Sequence, residues 1–130
     1  MLFWYKFVCI NLYNHIATTT IWENHKITWN RHKFYIFSGY DKDVNGNSLI
    51  VYTKISRKHI LWMGDVDAEG GKWLLREYNL PRVDILKVGH HGSMTSSASE
   101  FVRHVRPKYA LVSVGRNNHY DYPVTTVIER

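Results

Sequence analysis

Three apolar runs, each closed by a polar loop and separated by helix-forming stretches, restrict how residues 59–123 can fold. The runs are Ile60-Leu61-Trp62-Met63, then Val83 to Val88 (apolar apart from Asp84 and Lys87), then Tyr109 to Val114. The loops are Gly64-Asp65-Val66-Asp67, Gly89-His90-His91-Gly92-Ser93 and Asn117-Asn118-His119-Tyr120-Asp121. Between the first two runs, Glu69 to Tyr78 reads as a helix with Trp73, Leu74 and Tyr78 on one face, although Gly70 and Gly71 weaken its first turn. Between the second and third, Ser97 with Glu100 three residues later reads as a capping box opening a helix through about Val105. Its stripe is Phe101, Val102 and Val105. Pro81 and Pro107 stop the two helices. Tyr109 to Val114 is expected to be a buried strand, and Val124 to Arg130 the first turns of a further helix. Strands alternating with helices make an α/β layered arrangement, in which chemistry sits on loops at strand ends.

Upstream, Lys33 to Phe37 reads as a short strand. Gly39, Asp41, Asp43, Asn45, Gly46 and Asn47 make Ser38 to Asn47 a loop. Ser48 to Ile55 is an alternating β-branched strand that turns at Ser56-Arg57-Lys58 into His59 to Met63, giving a hairpin. Residues 1–33 form a separate, less patterned segment. Ile16 to Trp29 favours strand without clean alternation. Cys9 is the single cysteine, so no intramolecular disulfide or thiolate zinc site is expected, and it reads as a small buried residue. Leu2 to Ile10 is broken by Lys6 and falls short of the roughly 18–20 residues that cross a bilayer. No signal peptide or membrane anchor is expected in this chain.

The chain of 130 residues suits one modest domain, and 45% hydrophobic with 22% charged residues excludes a disordered chain. A net charge of +6 suits a polyanionic partner such as nucleic acid, or equally a basic domain without one, since no basic run reaches five residues.

Asp65 follows an apolar run and one glycine, so its carboxylate is expected to project at a strand end. A carboxylate there can bridge two metal ions roughly 3.5–4 Å apart, or serve as a turn residue. His90 and His91 stand between a strand and a helix; one imidazole can bind metal while the other orients substrate or a ligand. A His pair on a loop is also ordinary surface chemistry. Ser93, Thr95, Ser96, Ser97 and Ser99 sit at a helix start, where backbone N–H groups can receive phosphate or simply be capped. Asn118, His119, Tyr120 and Asp121 suit phosphate contact or loop closure. His15, His25, His32, His59 and His104 have no partner at ligand spacing and read as structural or exposed.

Taken together, five segments resemble the ComEC-type competence family, in the C-terminal half of its metallo-β-lactamase-like domain. Asn47 to Val51 resembles "N-S-L-V-L", and Leu61 to Gly70 resembles "L-L-T-G-D-(I/V)-E-x-E-G". Val83 to Ser93 resembles "V-D-V-L-K-V-P-H-H-G-S", Arg106 to Gly115 "x-P-x-x-A-V-I-S-V-G", and Asn118 to Pro123 "N-x-Y-G-H-P". The resemblance runs from about Phe34 to Arg130. It implies a partial metallo-β-lactamase fold, the C-terminal β/α half of an αββα sandwich, over residues 34–130. It implies a DNA-internalisation protein of the bacterial cell membrane, with a membrane channel part and a metal-dependent nuclease part. By the same resemblance Asp65 and His91 are catalytic, Asp65 is the metal-bridging carboxylate, and one histidine of the pair, His91 or His90, is a ligand of a divalent metal (zinc or manganese). Ser93, Asn118 and Tyr120 remain the candidate contacts to substrate phosphate. DNA, the parent's channel part and a second copy of the chain are the implied partners.

The chain departs from that pattern in three ways. The "H-x-H-x-D-H" motif that supplies most of the family's metal ligands is absent, so the chain alone is expected to be inactive. "G-H-P" has become Asp121-Tyr122-Pro123, and Gly89 replaces a proline, which is expected to loosen the loop before His90. Two other functions fit the same residues: a phosphodiesterase of the same fold acting on a small molecule, and a non-catalytic nucleic-acid-binding module.

Overall fold

The structure, a computed structural model, describes residues 24–38 and 48–130, with the backbone of two further strands. These are β1 (Phe7–Leu12) and β2 (His15–Thr20), an antiparallel pair in the register Phe7↔Thr20 to Leu12↔His15. The expected loop at residues 39–47 and the expected burial of Cys9 lie outside the described residues.

A six-stranded sheet follows in the order β3-β4-β5-β6-β7-β8. Its strands are β3 (His25–Trp29), β4 (His32–Phe37), β5 (Ile50–Ile55), β6 (Lys58–Trp62), β7 (Ile85–Lys87) and β8 (Tyr109–Leu111). β3 to β6 run antiparallel, whereas β6, β7 and β8 are parallel. The two tight connections in the antiparallel part use paired left-handed residues: Asn30 (φ 43°) with Arg31 (φ 63°), and Ser56 (φ 47°) with Arg57 (φ 67°). Positive φ at both central residues matches the strand twist of a two-residue hairpin. The parallel strands cannot be joined so tightly, and α1 (Ala68–Glu77) and α2 (Ser99–Val105) make their crossovers. A last short helix, α3 (Thr125–Ile128), follows.

One face of the sheet carries the core. Register places Phe37 opposite Ile50 and Leu61 opposite Leu86. These four side chains are buried together with Leu74 of α1 and with Phe101 and Val105 of α2. Gly71 has a packing reason: a Cβ there would stand 3.3 Å from the Phe101 ring, so its absence lets α1 and α2 approach. Asp67 caps α1, its carboxylate accepting from the Gly70 N–H at 2.9 Å.

Three expectations are corrected here. The third strand is not buried: Tyr109 and Leu111 are 58% and 54% exposed. β8 is the last strand of the sheet, and among the described residues nothing pairs with its outer edge. Ser97 does not cap α2. The cap position is Ala98, which offers no side-chain bond, and Ser97 is itself left-handed (φ 52°) with its hydroxyl buried and unpartnered. Gly89 does not loosen its loop. It is buried, and a Cβ on it would lie 2.6 Å from the Val66 carbonyl, so the close approach of two loops holds it.

Candidate functional site

The loops after β6, β7 and β8 meet at the C-terminal ends of the parallel strands, and backbone bonds fix how they meet. After β6 the chain turns at once, with the Val66 N–H on the Met63 carbonyl at 3.2 Å. Gly64 takes φ +57° in that turn, and a Cβ there would fall 2.7 Å from the Leu49 carbonyl. The Gly64 carbonyl then accepts the His90 N–H at 2.9 Å, tying the first loop to the second. The second loop is tied to the third where the Val124 N–H meets the Gly92 carbonyl at 2.9 Å. Gly92 has φ +79°, and a Cβ on it would stand 2.7 Å from Pro123, the residue after a cis peptide bond.

Together these ties present Asp65, His90 and His91 to one pocket of about 370 Å³, which Asn118, Tyr120 and Tyr122 help to line. His91 Nε2 lies 3.5 Å from an Asp65 carboxylate oxygen, with both side chains about half exposed (46% and 48%). Its other nitrogen, Nδ1, is 2.5 Å from the Ser113 carbonyl. A carbonyl only accepts, so Nδ1 donates the proton in that bond, and the ring is held with Nε2 facing the Asp65 carboxylate. His90 is turned differently. Its ring meets the edge of Tyr122 at 5.8 Å, and its buried Nδ1 has no hydrogen-bond partner. Both histidines are left-handed (φ 43° and 54°) at a kink within the short segment Gly89–Gly92. Two adjacent non-glycine residues in that region store backbone strain, and such strain concentrates at functional sites.

The other expected site residues are placed as follows. Ser93 is buried, its hydroxyl 2.9 Å from that of Thr95. Asn118 organises its own loop: its amide nitrogen donates to the Gly115 and Tyr122 carbonyls, and its oxygen accepts from the Tyr120 and Tyr122 N–H groups. Tyr120 is 74% exposed and stacks on Tyr122 at 5.5 Å. Two participants were not among the expected ones. Ser113 acts through its backbone, which no side-chain motif signals. Tyr122 stands where the family pattern has histidine, and that position was the available clue.

No family model matches the chain. Curated relatives do. The chain is 34% identical over 85 residues to ComE operon protein 3 of Bacillus subtilis, covering 65% of this chain and 11% of the relative. It is 35% identical over 86 residues to Recombination protein 2 of Haemophilus influenzae, again 11% of that protein. Competence protein ComA of Neisseria gonorrhoeae is 38% identical over 90 residues, 68% of this chain and 13% of the relative. The chain belongs to the competence family. It spans little more than a tenth of the length of these relatives.

For this competence-family chain, the fit to a metal ion follows from the donors present. Zinc takes three or four protein ligands. One carboxylate and one oriented imidazole nitrogen converge here, and among the described residues no group of three or more His, Cys, Asp or Glu could hold a metal. That set fits one edge of a metal centre and does not complete one, so the described residues alone do not carry a metal-borne step. Among the described residues, no helix is long and apolar enough to cross a membrane.

Proposed function

We propose that this chain is part of a DNA-uptake protein of the competence type, and that residues 34–130 are the C-terminal β/α half of a metallo-β-lactamase-like hydrolase domain acting on DNA. The parent protein in this reading is held in the bacterial cell membrane beside a channel. The observation that carries the proposal is the His91 arrangement. An imidazole whose Nδ1–H is bound by a backbone carbonyl presents Nε2 to a ligand, the usual way a protein fixes a metal-binding histidine. Asp65 stands where a metal held by that nitrogen would find an oxygen ligand. The remaining ligands of a divalent ion, zinc or manganese, would come from outside the described residues. When bound, the ion would supply a water acidic enough to attack a phosphodiester.

The proposal separates binding from turnover. Incubated with linear DNA and manganese or zinc, the chain alone is expected to leave the DNA intact while binding the metal weakly. Metal binding unchanged by both Asp65→Ala and His91→Ala would remove the metal reading. Robust cleavage lost in Asp65→Ala would keep the hydrolase and overturn the claim that the chain is incomplete.

A further inference from the structure

The opposite end of the same sheet carries a second cluster, with a different chemistry. β4 and β5 pair with Tyr35 opposite Tyr52, and β3 sets Lys26 opposite Tyr35. Alternation along the strands puts Lys33 and Lys54 on the same face as the two tyrosines. Farther along, this face becomes the core under α1 and α2; here, among the described residues, Lys33, Tyr35 and Lys54 are exposed and Tyr52 is half-buried at the core's margin. A pocket of about 670 Å³ forms against the segment after α1, lined by Arg31, Lys33, Lys54, Tyr35 and Tyr52 and walled by Pro81. No carboxylate is among its described lining residues.

The rings and cations interleave. Tyr35 and Tyr52 are 6.0 Å apart, and Tyr52 and His59 5.9 Å, forming a continuous row. The Lys26 ammonium lies 5.8 Å from the Tyr35 ring centre. The Tyr52 hydroxyl contacts His59 Nδ1 at 2.5 Å, which fixes its ring, whereas Tyr35 is exposed. Along β6 the cluster spans His59 to Leu61, the residue opposite Tyr52, and Tyr35 lies on the next strand but one from β6.

We propose that this face binds single-stranded nucleic acid, with bases stacked on Tyr35 and Tyr52 and backbone phosphates neutralised by Lys26, Arg31, Lys33 and Lys54. Cations alone would serve any polyanion. The row of rings is what selects a strand whose bases are free to stack, because every base has a π-face. A duplex keeps its bases stacked on one another and offers the rings no free base face. The site does not depend on the metal reading.

The test uses the full 130-residue chain in EDTA, so that no metal site contributes. Binding of a labelled oligothymidylate of about fifteen nucleotides is followed by anisotropy over a salt series. The Lys33→Glu/Lys54→Glu pair is expected to weaken binding at least tenfold and to flatten the log–log salt slope by about 1.4, at about 0.7 for each phosphate no longer neutralised. An Arg103→Glu/Lys108→Glu pair, matched in net charge but on the α2 side, is expected to keep most of the affinity. Tyr35→Ala is expected to lose roughly five- to a hundredfold. Lys54→Gln supports the same conclusion if charge reversal disturbs folding. Equal loss in both charge-reversed pairs would overturn the proposal. So would unchanged affinity in Tyr35→Ala, or polyglutamate or anionic vesicles binding as tightly as the oligonucleotide.

Discussion

Each end of strands β6 to β8 carries an aspartate, and the protein uses the two in opposite ways. At the N-terminal end, Asp84 is a clasp. Its carboxylate accepts from the His59 N–H at 2.9 Å and from the Lys58 ammonium at 3.1 Å. Its carbonyl accepts the Lys108 and Tyr109 N–H groups, so one residue ties three strands together. At the C-terminal end, Asp65 faces the His91 nitrogen across 3.5 Å in a half-exposed pocket, where such a pair contributes little to stability. The same end holds the strained His90 and His91, the unpartnered His90 Nδ1 and the unpartnered Ser97 hydroxyl. One end satisfies its polar groups; the other leaves them available. That division is expected where a scaffold stabilises a site whose own geometry is costly.

The largest effect is expected at Gly64. Gly64→Ala adds a Cβ against the Leu49 carbonyl in a left-handed turn, and is expected to cost about 1–3 kcal/mol in urea unfolding. A loss of a few tenths would mean that the turn shifts freely and that Asp65 is not held in place.

Ser97→Gly runs the other way. It relieves a left-handed residue and removes a buried hydroxyl with no partner, and is expected to stabilise by about 1 kcal/mol. Destabilisation would show that the hydroxyl is satisfied and that strain at this end is smaller than argued.

The smallest effect is at Asp84. The His59 N–H and then the Lys58 ammonium hold its carboxyl below the ordinary value of 3.8. A folded pKa below the unfolded one contributes stability that is present above about pH 4 and lost as pH falls through the folded value. The midpoint of thermal unfolding should therefore fall on acidification below about pH 4, and Asp84→Asn should flatten that part of the profile. An identical profile in the variant would show that the Asp84 carboxylate is not a clasp.

Legibility in the sequence followed the same division. The strands, both main helices and the three loops were readable because apolar period and Gly/Pro punctuation are local signals. Asp65, His90 and His91 could be named because a loop after an apolar run must lie at a strand end. What failed was whatever depended on neighbours. Tyr109 to Val114 looks buried from its own residues, and only sheet order reveals β8 as an edge. Ser97 and Glu100 have the spacing of a capping box, yet the chain turns left-handed at Ser97 and starts the helix later. The Ser113 carbonyl that accepts from His91 Nδ1 comes from 22 residues away and has no side-chain signature. The basic and aromatic residues of β3 to β5 are scattered in sequence and become a cluster only through strand register.

The most direct measurement is a zinc titration followed by NMR of the histidine side-chain nitrogens. The His91 Nε2 resonance is expected to shift first while Nδ1 keeps its proton, and Asp65→Ala to weaken the binding about tenfold, or 1.4 kcal/mol. Zinc that perturbs the other histidines equally, with no change in Asp65→Ala, would contradict the metal reading.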